Sequence, residues 1–127
     1  MLNALTLPSQ RFSKQLRLNK AADFKAAFQN GKKLATRYLA VFATPNDLSY
    51  PRLGTVVGKK AVNKAVARHR IKRAVRESFR LHQHLLGNVD LVVVAYHGIN
   101  TLNKAELRPQ IDQQWERLPS YKNVSGS

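Results

Sequence analysis

The chain has 127 residues, of which 43% are apolar and none is cysteine. This length suits one domain, and the lack of cysteine excludes disulfides, thiolate metal sites and cysteine nucleophiles. No apolar run approaches the roughly 20 residues that span a bilayer, and residues 1–10 lack the basic start of a signal peptide. We therefore expect a cytoplasmic single-domain protein without a membrane partner, with loose termini around an ordered core of about residues 11–119.

The net charge of +15 comes from 22 Lys and Arg residues against 7 Asp and Glu residues. Residues 1–80 hold 18 basic and 3 acidic residues, whereas residues 81–127 hold 4 of each. The excess charge therefore belongs to the first two-thirds of the chain. A one-sided positive field concentrates polyanions, and a nucleic-acid backbone is the partner we expect.

The first predicted element is a helix over residues 19–29. Asn19 is a suitable N-cap, the alanines favour helix, and Asn30 and Gly31 end it. Phe24 and Phe28 are four residues apart, so they lie on one helix face.

Two extended segments follow the first helix. Residues 37–44 alternate, which places Tyr38 and Phe42 on one face of a strand and Leu39 and Val41 on the other. A turn at residues 45–47 then leads to a second extended segment over residues 52–58.

The rest of the chain predicts a long helix, a strand and a last helix. The long helix covers residues 63–86, and the apolar run of residues 91–95 is typical of a central strand. The last helix carries apolar residues at helical spacing and either kinks or starts at Pro109. The order α-β-β-α-β-α predicts an α+β layer sandwich in a single RNA-binding domain.

The long helix concentrates the positive charge. Residues 59–80 include nine Lys and Arg residues and one acid, Glu77. Helical spacing gathers apolar residues such as Ile71 and Phe79 on one face and cations on the other. Successive turns repeat at about 5.4 Å, close to the spacing of phosphates on an RNA strand. The residues that form or flank this basic stripe are Arg68, His69, Arg70, Lys72, Arg73, Arg76 and Arg80.

Two alternatives to nucleic-acid binding also account for a basic stripe on a helix. A solvated helix face is the common one, but such faces mix charge signs, and here Glu77 stands alone among cations. A membrane-surface helix needs apolar anchors, whereas this apolar face is required by the core. Nucleic-acid binding is the interpretation that the pattern favours.

At these residues the chain resembles a known family. Lys59-Lys60, the run from Arg68 to Arg73 and the run from Arg76 to Arg80 are similar to the signature helix of the bacterial ribonuclease P protein subunit. Further similarity before and after the helix extends the resemblance over about residues 17–118. The chain departs from the family at His69, where the family has asparagine.

The resemblance implies a sandwich with a left-handed crossover, and an activity shared with RNA. The family binds a catalytic RNA subunit and assists removal of the 5′ leader from precursor tRNA, with hydrolysis performed by RNA and Mg²⁺ held mainly by the RNA. No protein partner and no catalytic side chain are implied. The basic stripe is expected to contact the catalytic RNA. The residues expected to form a cleft for the leader are Arg17, Phe24, Phe28, Phe42, Lys59 and Lys60.

The residues themselves support the cleft only in part. Aromatic rings beside lysines suit stacking of unpaired bases, but from the residues alone Phe24, Phe28 and Phe42 are more typical of an ordinary core, and each ring can do both. A protein-only nuclease has little support, because the acids are scattered and His82 and His84 diverge on a helix. A structural RNA binder such as a ribosomal protein fits the composition as well.

Overall fold

One helix, three strands, a second helix, a fourth strand and a last helix follow one another in the computed structural model, which describes residues 16–18 and 20–118. A short 3₁₀ helix precedes the last element. The bounds are α1 Ala21–Asn30, β1 Lys32–Ala35, β2 Leu39–Pro45, β3 Arg52–Val56, α2 Ala65–Leu86, β4 Val89–Ala95 and α3 Lys104–Arg117.

The four strands form one sheet in the order β1-β2-β4-β3. β2 pairs antiparallel with β1 and with β4, whereas β3 and β4 are parallel. The apolar run at residues 91–95 is therefore a central strand, as its composition predicts. Parallel neighbours need a crossover, and α2 supplies it between β3 and β4. The hand of this crossover stays a prediction from the resemblance.

The sheet is covered by helices on both faces. The main core lies between one face and α2 with α3, and it includes Val41, Leu91, Phe79 and Trp115. A smaller cluster lies on the opposite face under α1, and it is built on Leu18, Ala27 and Val92. The α+β sandwich is thus confirmed, with its helices divided two and one.

A buried polar network holds α3 against α2. The Ser78 hydroxyl donates to the Asp112 carboxylate and accepts a hydrogen bond from Trp115 Nε1 at 2.7 Å. The rings of Phe79 and Trp115 meet edge to face at 6.2 Å. Because Ser78 is fully buried, this network fixes where the two helices can touch.

β1 was not predicted from the sequence, and β2 begins two residues later than predicted. Residues 37 and 38 belong to the turn between them, where the Thr36 hydroxyl accepts from the backbone N–H groups of Tyr38 and Leu39. Tyr38 consequently packs against the main core instead of sharing a face with Phe42. A threonine turn lacks the glycine or proline signal that marks most hairpins.

The helix starts also differ from the predictions. Lys20 is the N-cap of α1, so the predicted cap at Asn19, which lies outside the described residues, is wrong. A capping box between Asn103 and Glu106 starts α3 at Lys104, so the predicted alternative of a start at Pro109 is wrong, and Pro109 lies inside the helix. Residues 11–15 and 119 of the predicted core, and the termini predicted to be loose, are also outside the described residues.

Candidate nucleic-acid interface

The outer face of α2 carries the exposed cations that the sequence predicts. Ile71, Val75 and Phe79 are buried in the main core, which turns the intervening residues towards solvent. His69, Arg70, Arg73 and Arg76 are all exposed. Their positions follow from helical spacing alone, so this part of the site could be predicted without a structure.

Two depressions border this face. The larger, of about 670 Å³, lies between α2 and α3 and is called here the interhelix groove; its lining includes His69, Arg70 and Arg73. The smaller, of about 280 Å³, is called the arginine hollow; it is lined by Arg17, His69, Arg73, Arg76, Glu77 and Arg80. His69, Arg73 and Glu77 border both depressions, so they sit on the ridge between them.

Arg17 lies in the arginine hollow, with the basic stripe, rather than among the aromatic rings where the resemblance placed it. Its backbone forms a parallel bridge with Leu53 of β3, and the Leu18 N–H donates to the Leu53 carbonyl at 2.9 Å. Since β3 is an edge strand, this segment extends the edge of the sheet beyond β3. The neighbouring Leu16 and Leu18 are buried in different clusters, while Arg17 is exposed.

The remaining cations of the predicted stripe are less available. Arg68 Nη1 donates to the carbonyls of Val62 at 3.1 Å and Asn63 at 2.7 Å, which ties it to the segment before α2. Arg80 Nη2 lies 3.7 Å from the Glu77 carboxylate. Lys72 is half-buried and borders neither depression. The most exposed cationic side chains of the stripe therefore lie between residues 69 and 76.

Phe24 and Phe42 pack against the smaller cluster on the opposite face of the sheet, and Phe28 contacts Phe42. The Phe28 and Phe42 rings meet edge to face, with centroids 5.0 Å apart. The Phe24 ring lies so close to Gly54 that a Cβ at residue 54 would come within 2.7 Å of the ring Cζ atom. Phe28 remains 45% exposed. We call this surface the aromatic cleft; Phe24 and Phe42 are half-buried, and Phe28 is the most exposed of its three rings.

The lysine beside the aromatic cleft is Lys33, which the sequence analysis did not single out. Its Nζ lies 5.7 Å from the centroid of Phe42, directly across the β1–β2 ladder. Lys59 and Lys60, the predicted lysines, are exposed in the turn that follows β3. Recognising β1 would have found Lys33, because the hairpin register places it opposite Phe42.

An ion-pair network fixes one end of the aromatic cleft and was also missed. Arg52 donates to both oxygens of Asp90, at 2.9 and 2.7 Å, and lies 3.9 Å from Asp23 of α1. Asn46 Nδ2 donates to Asp90 at 2.8 Å. The hydrogen bond with Asp90, opposed by burial, raises the pKa of Arg52 and keeps it cationic. These partners are far apart in sequence, so no local pattern indicated them.

The described acids do not fit a resident Mg²⁺ site. Asp90 is bound by Arg52, Asp112 by Arg108, and Glu77 lies between Arg80 and Arg108. Within residues 16–18 and 20–118, no three His, Asp or Glu side chains are grouped to hold a metal ion. No helix in that same part of the chain is long and apolar enough to cross a membrane.

The fold and its two surfaces define a basic α+β sandwich protein, with exposed cations on one side of the sheet and aromatic rings on the other. The family model described as Ribonuclease P matches residues 12–119, and the chain belongs to this family of tRNA-processing ribonucleoprotein components.

Relatives and solved structures agree with this assignment. The ribonuclease P protein component of Pseudomonas putida is 43% identical over 111 residues, covering 87% of this chain and 84% of the relative. The RNase P protein of Thermotoga maritima superposes with a TM-score of 0.73 at 30% identity, covering 82% of this chain and 98% of that one. For the Staphylococcus aureus protein the TM-score is 0.69 at 32% identity, covering 80% and 90%.

Proposed function

We propose that this chain binds the catalytic RNA of ribonuclease P through α2 and the 5′ leader of precursor tRNA through the aromatic cleft. It thereby assists the endonucleolytic removal of the leader. The observation that carries the proposal is the separation of the two surfaces by the sheet: exposed cations lie on α2, and ring faces lie under α1. Membership of the ribonuclease P family supports the assignment of this cleavage reaction.

The two surfaces suit different parts of an RNA. Arg70, Arg73 and Arg76 present guanidinium groups to solvent, and such groups bind phosphates irrespective of sequence. The Phe28 and Phe42 rings offer apolar faces beside Lys33, which suits unpaired bases joined by phosphates. A structured partner is therefore assigned to α2 and a single-stranded segment to the cleft.

The chemistry is assigned to the RNA subunit with Mg²⁺. Ion pairs with arginines hold Asp23, Glu77, Asp90 and Asp112. No three described His, Asp or Glu side chains are grouped as metal ligands, so charge and positioning are the roles we assign to the protein. Fifteen net positive charges replace part of the cation atmosphere that two RNAs need in order to associate. We expect the protein to lower the Mg²⁺ concentration at which the RNA cleaves.

Reconstitution tests the proposal. The protein is mixed with the catalytic RNA of its own bacterium, and cleavage of a precursor tRNA is followed across a Mg²⁺ titration. The expected result is no cleavage by protein alone and cleavage at lower Mg²⁺ with both subunits than with RNA alone. An unchanged Mg²⁺ requirement, or cleavage by repurified RNA-free protein, would contradict the proposal.

A further inference from the structure

The interhelix groove has an apolar floor inside a basic rim. Val66 and Ala74 of α2 and Leu107 of α3 supply apolar surface, and Leu107 is itself buried at the base of α3. The rim carries cations from both helices: His69, Arg70 and Arg73 from α2, and Lys104 and Arg108 from α3. Neither helix alone forms this combination.

Val66 is the feature that folding does not explain. It is 81% exposed, although it borders a groove whose other apolar residues pack into the main core. An isolated exposed valine is unremarkable, but this one extends an apolar floor between two cationic edges. The groove volume of about 670 Å³ also falls within the roughly 300–1,000 Å³ of small-ligand sites.

The charge of the rim indicates the kind of occupant. Five cationic or titratable basic side chains surround the floor, and the one acid in the lining, Glu77, lies 3.6 Å from Arg108. An occupant that fits must combine an apolar, planar part with negative charge on its flanks. An unpaired nucleotide has this form, with a base that prefers to leave water and a phosphate on either side.

We propose that the interhelix groove binds one unpaired nucleotide of the catalytic RNA, with its base against Val66 and its phosphates on the rim. This inference rests on the proposed function, since α2 must face that RNA. It adds an apolar contact to a surface otherwise explained by charge alone. It also gives the start of α3 a role, because Lys104 and Arg108 supply the second edge.

The test compares Val66→Ala with Leu85→Ala. Both remove an exposed aliphatic side chain from α2, but Leu85 lies outside both depressions and serves as the matched control. Alanine is a better helix former than either residue it replaces, so both variants are expected to fold. Affinity for the catalytic RNA is measured by filter binding over a range of salt concentrations, and thermal melting verifies folding.

Val66→Ala is expected to weaken binding at least about fivefold, the low end for a base contact, without changing the salt dependence. The slope stays the same because an apolar contact releases no counterions. Leu85→Ala is expected to bind as the wild type does. Chemical probing of the RNA is expected to find one unpaired base that the wild type and Leu85→Ala protect and that Val66→Ala leaves reactive.

Three outcomes would overturn the inference. Equal affinity of the two variants and equal base protection would remove the groove from the interface while leaving the proposed function intact. A loss accompanied by a shallower salt slope would assign the effect to phosphate contacts. A wild-type dimer that Val66→Ala disrupts, with RNA affinity unchanged, would assign the groove to a second copy of the chain. Failure of the wild type to bind the RNA would contradict the proposed function as well.

Discussion

The outer face of α2 and the aromatic cleft differ in how their side chains are held. On α2 the exposed cations project from a helix whose opposite face is locked in the main core. In the cleft the rings are fixed by one another and by the sheet, with Phe24 on Gly54 and Phe28 against Phe42. Phosphate binding requires charge at a suitable spacing, whereas binding a base requires a shaped surface. The first tolerates mobile side chains and the second does not.

The two surfaces meet at the edge of the sheet. At this edge Arg17 pairs alongside β3 and lines the arginine hollow. The adjacent Leu18 is buried in the smaller cluster beneath the aromatic cleft. One three-residue segment therefore contributes to both surfaces. A variant that disturbs only one of the two surfaces therefore shows whether they act independently.

The largest effect is expected from Gly54→Ala. The added Cβ would come within 2.7 Å of the Phe24 ring and 3.1 Å of Leu18, so Phe24 must leave its position on the sheet. We expect a loss of about 1–3 kcal/mol in the free energy of unfolding from this overpacking. Leader binding is expected to weaken about tenfold or more as the cleft changes shape. Chemical denaturation and the affinity for precursor tRNA measure these two effects.

Gly58→Ala is the matched control for Gly54→Ala, because a Cβ at Gly58 meets no atom within 4 Å. Both replacements change the same residue type in the same part of the chain, and neither position has a positive φ. Affinity for the catalytic RNA is expected to stay unchanged in both. If Gly54→Ala bound precursor tRNA as tightly as Gly58→Ala does, the Phe24 position would have no part in leader binding.

The second largest effect is expected from Phe42→Leu, which removes the aromatic ring while keeping most of the apolar volume. Loss of one stacking face is expected to weaken precursor tRNA binding by about 1–3 kcal/mol and to leave mature tRNA binding unchanged. Tyr38→Leu is the control, since Tyr38 packs against the main core on the other side of the sheet. Equal losses for both tRNA forms would place Phe42 outside the leader contact.

The two regions also differ in how far the sequence predicts them. Helical spacing predicted the exposed cations of α2 because only one helix is needed to order them. The aromatic cleft needs three elements to meet, so its phenylalanines were identified but Lys33 and the Arg52–Asp90 pair were not. β1 was not predicted because its two exposed lysines, which suit an edge strand, break the apolar alternation that marks a strand. Its turn also depends on the Thr36 hydroxyl rather than on glycine or proline.

The sequence likewise could not predict the position of Arg17 or the interhelix groove. Arg17 was assigned to the cleft by resemblance, and its position beside α2 depends on pairing with Leu53, 36 residues away. The interhelix groove depends on where α3 docks, which the hydrogen bonds of Ser78 with Asp112 and Trp115 determine. Local patterns predict faces of single elements, whereas both of these features arise between elements.

Arg73→Ala is expected to have a smaller effect, of about 1 kcal/mol on catalytic RNA binding. If Arg73 meets one phosphate, the salt slope falls by about one unit and the preference for precursor over mature tRNA does not change. Arg117→Ala makes the same charge change on α3, outside both depressions, and is expected to leave the slope unaltered. If both variants lowered the salt slope of catalytic RNA binding by the same amount, net charge rather than position on α2 would account for the loss of affinity.

The smallest effect is expected from His69→Asn, at the position where this chain departs from the family pattern. His69 is exposed on the ridge between the interhelix groove and the arginine hollow, so it can meet RNA on either side. A neutral imidazole and an amide each offer a donor and an acceptor, so asparagine can keep a hydrogen bond that alanine cannot. His69→Asn is therefore expected to bind the catalytic RNA within about twofold of the wild type, whereas His69→Ala loses about 0.5–1.5 kcal/mol. Filter binding of all three proteins at one salt concentration makes the comparison. Equal losses in Asn and Ala would show that the ring itself is needed, by stacking or by charge.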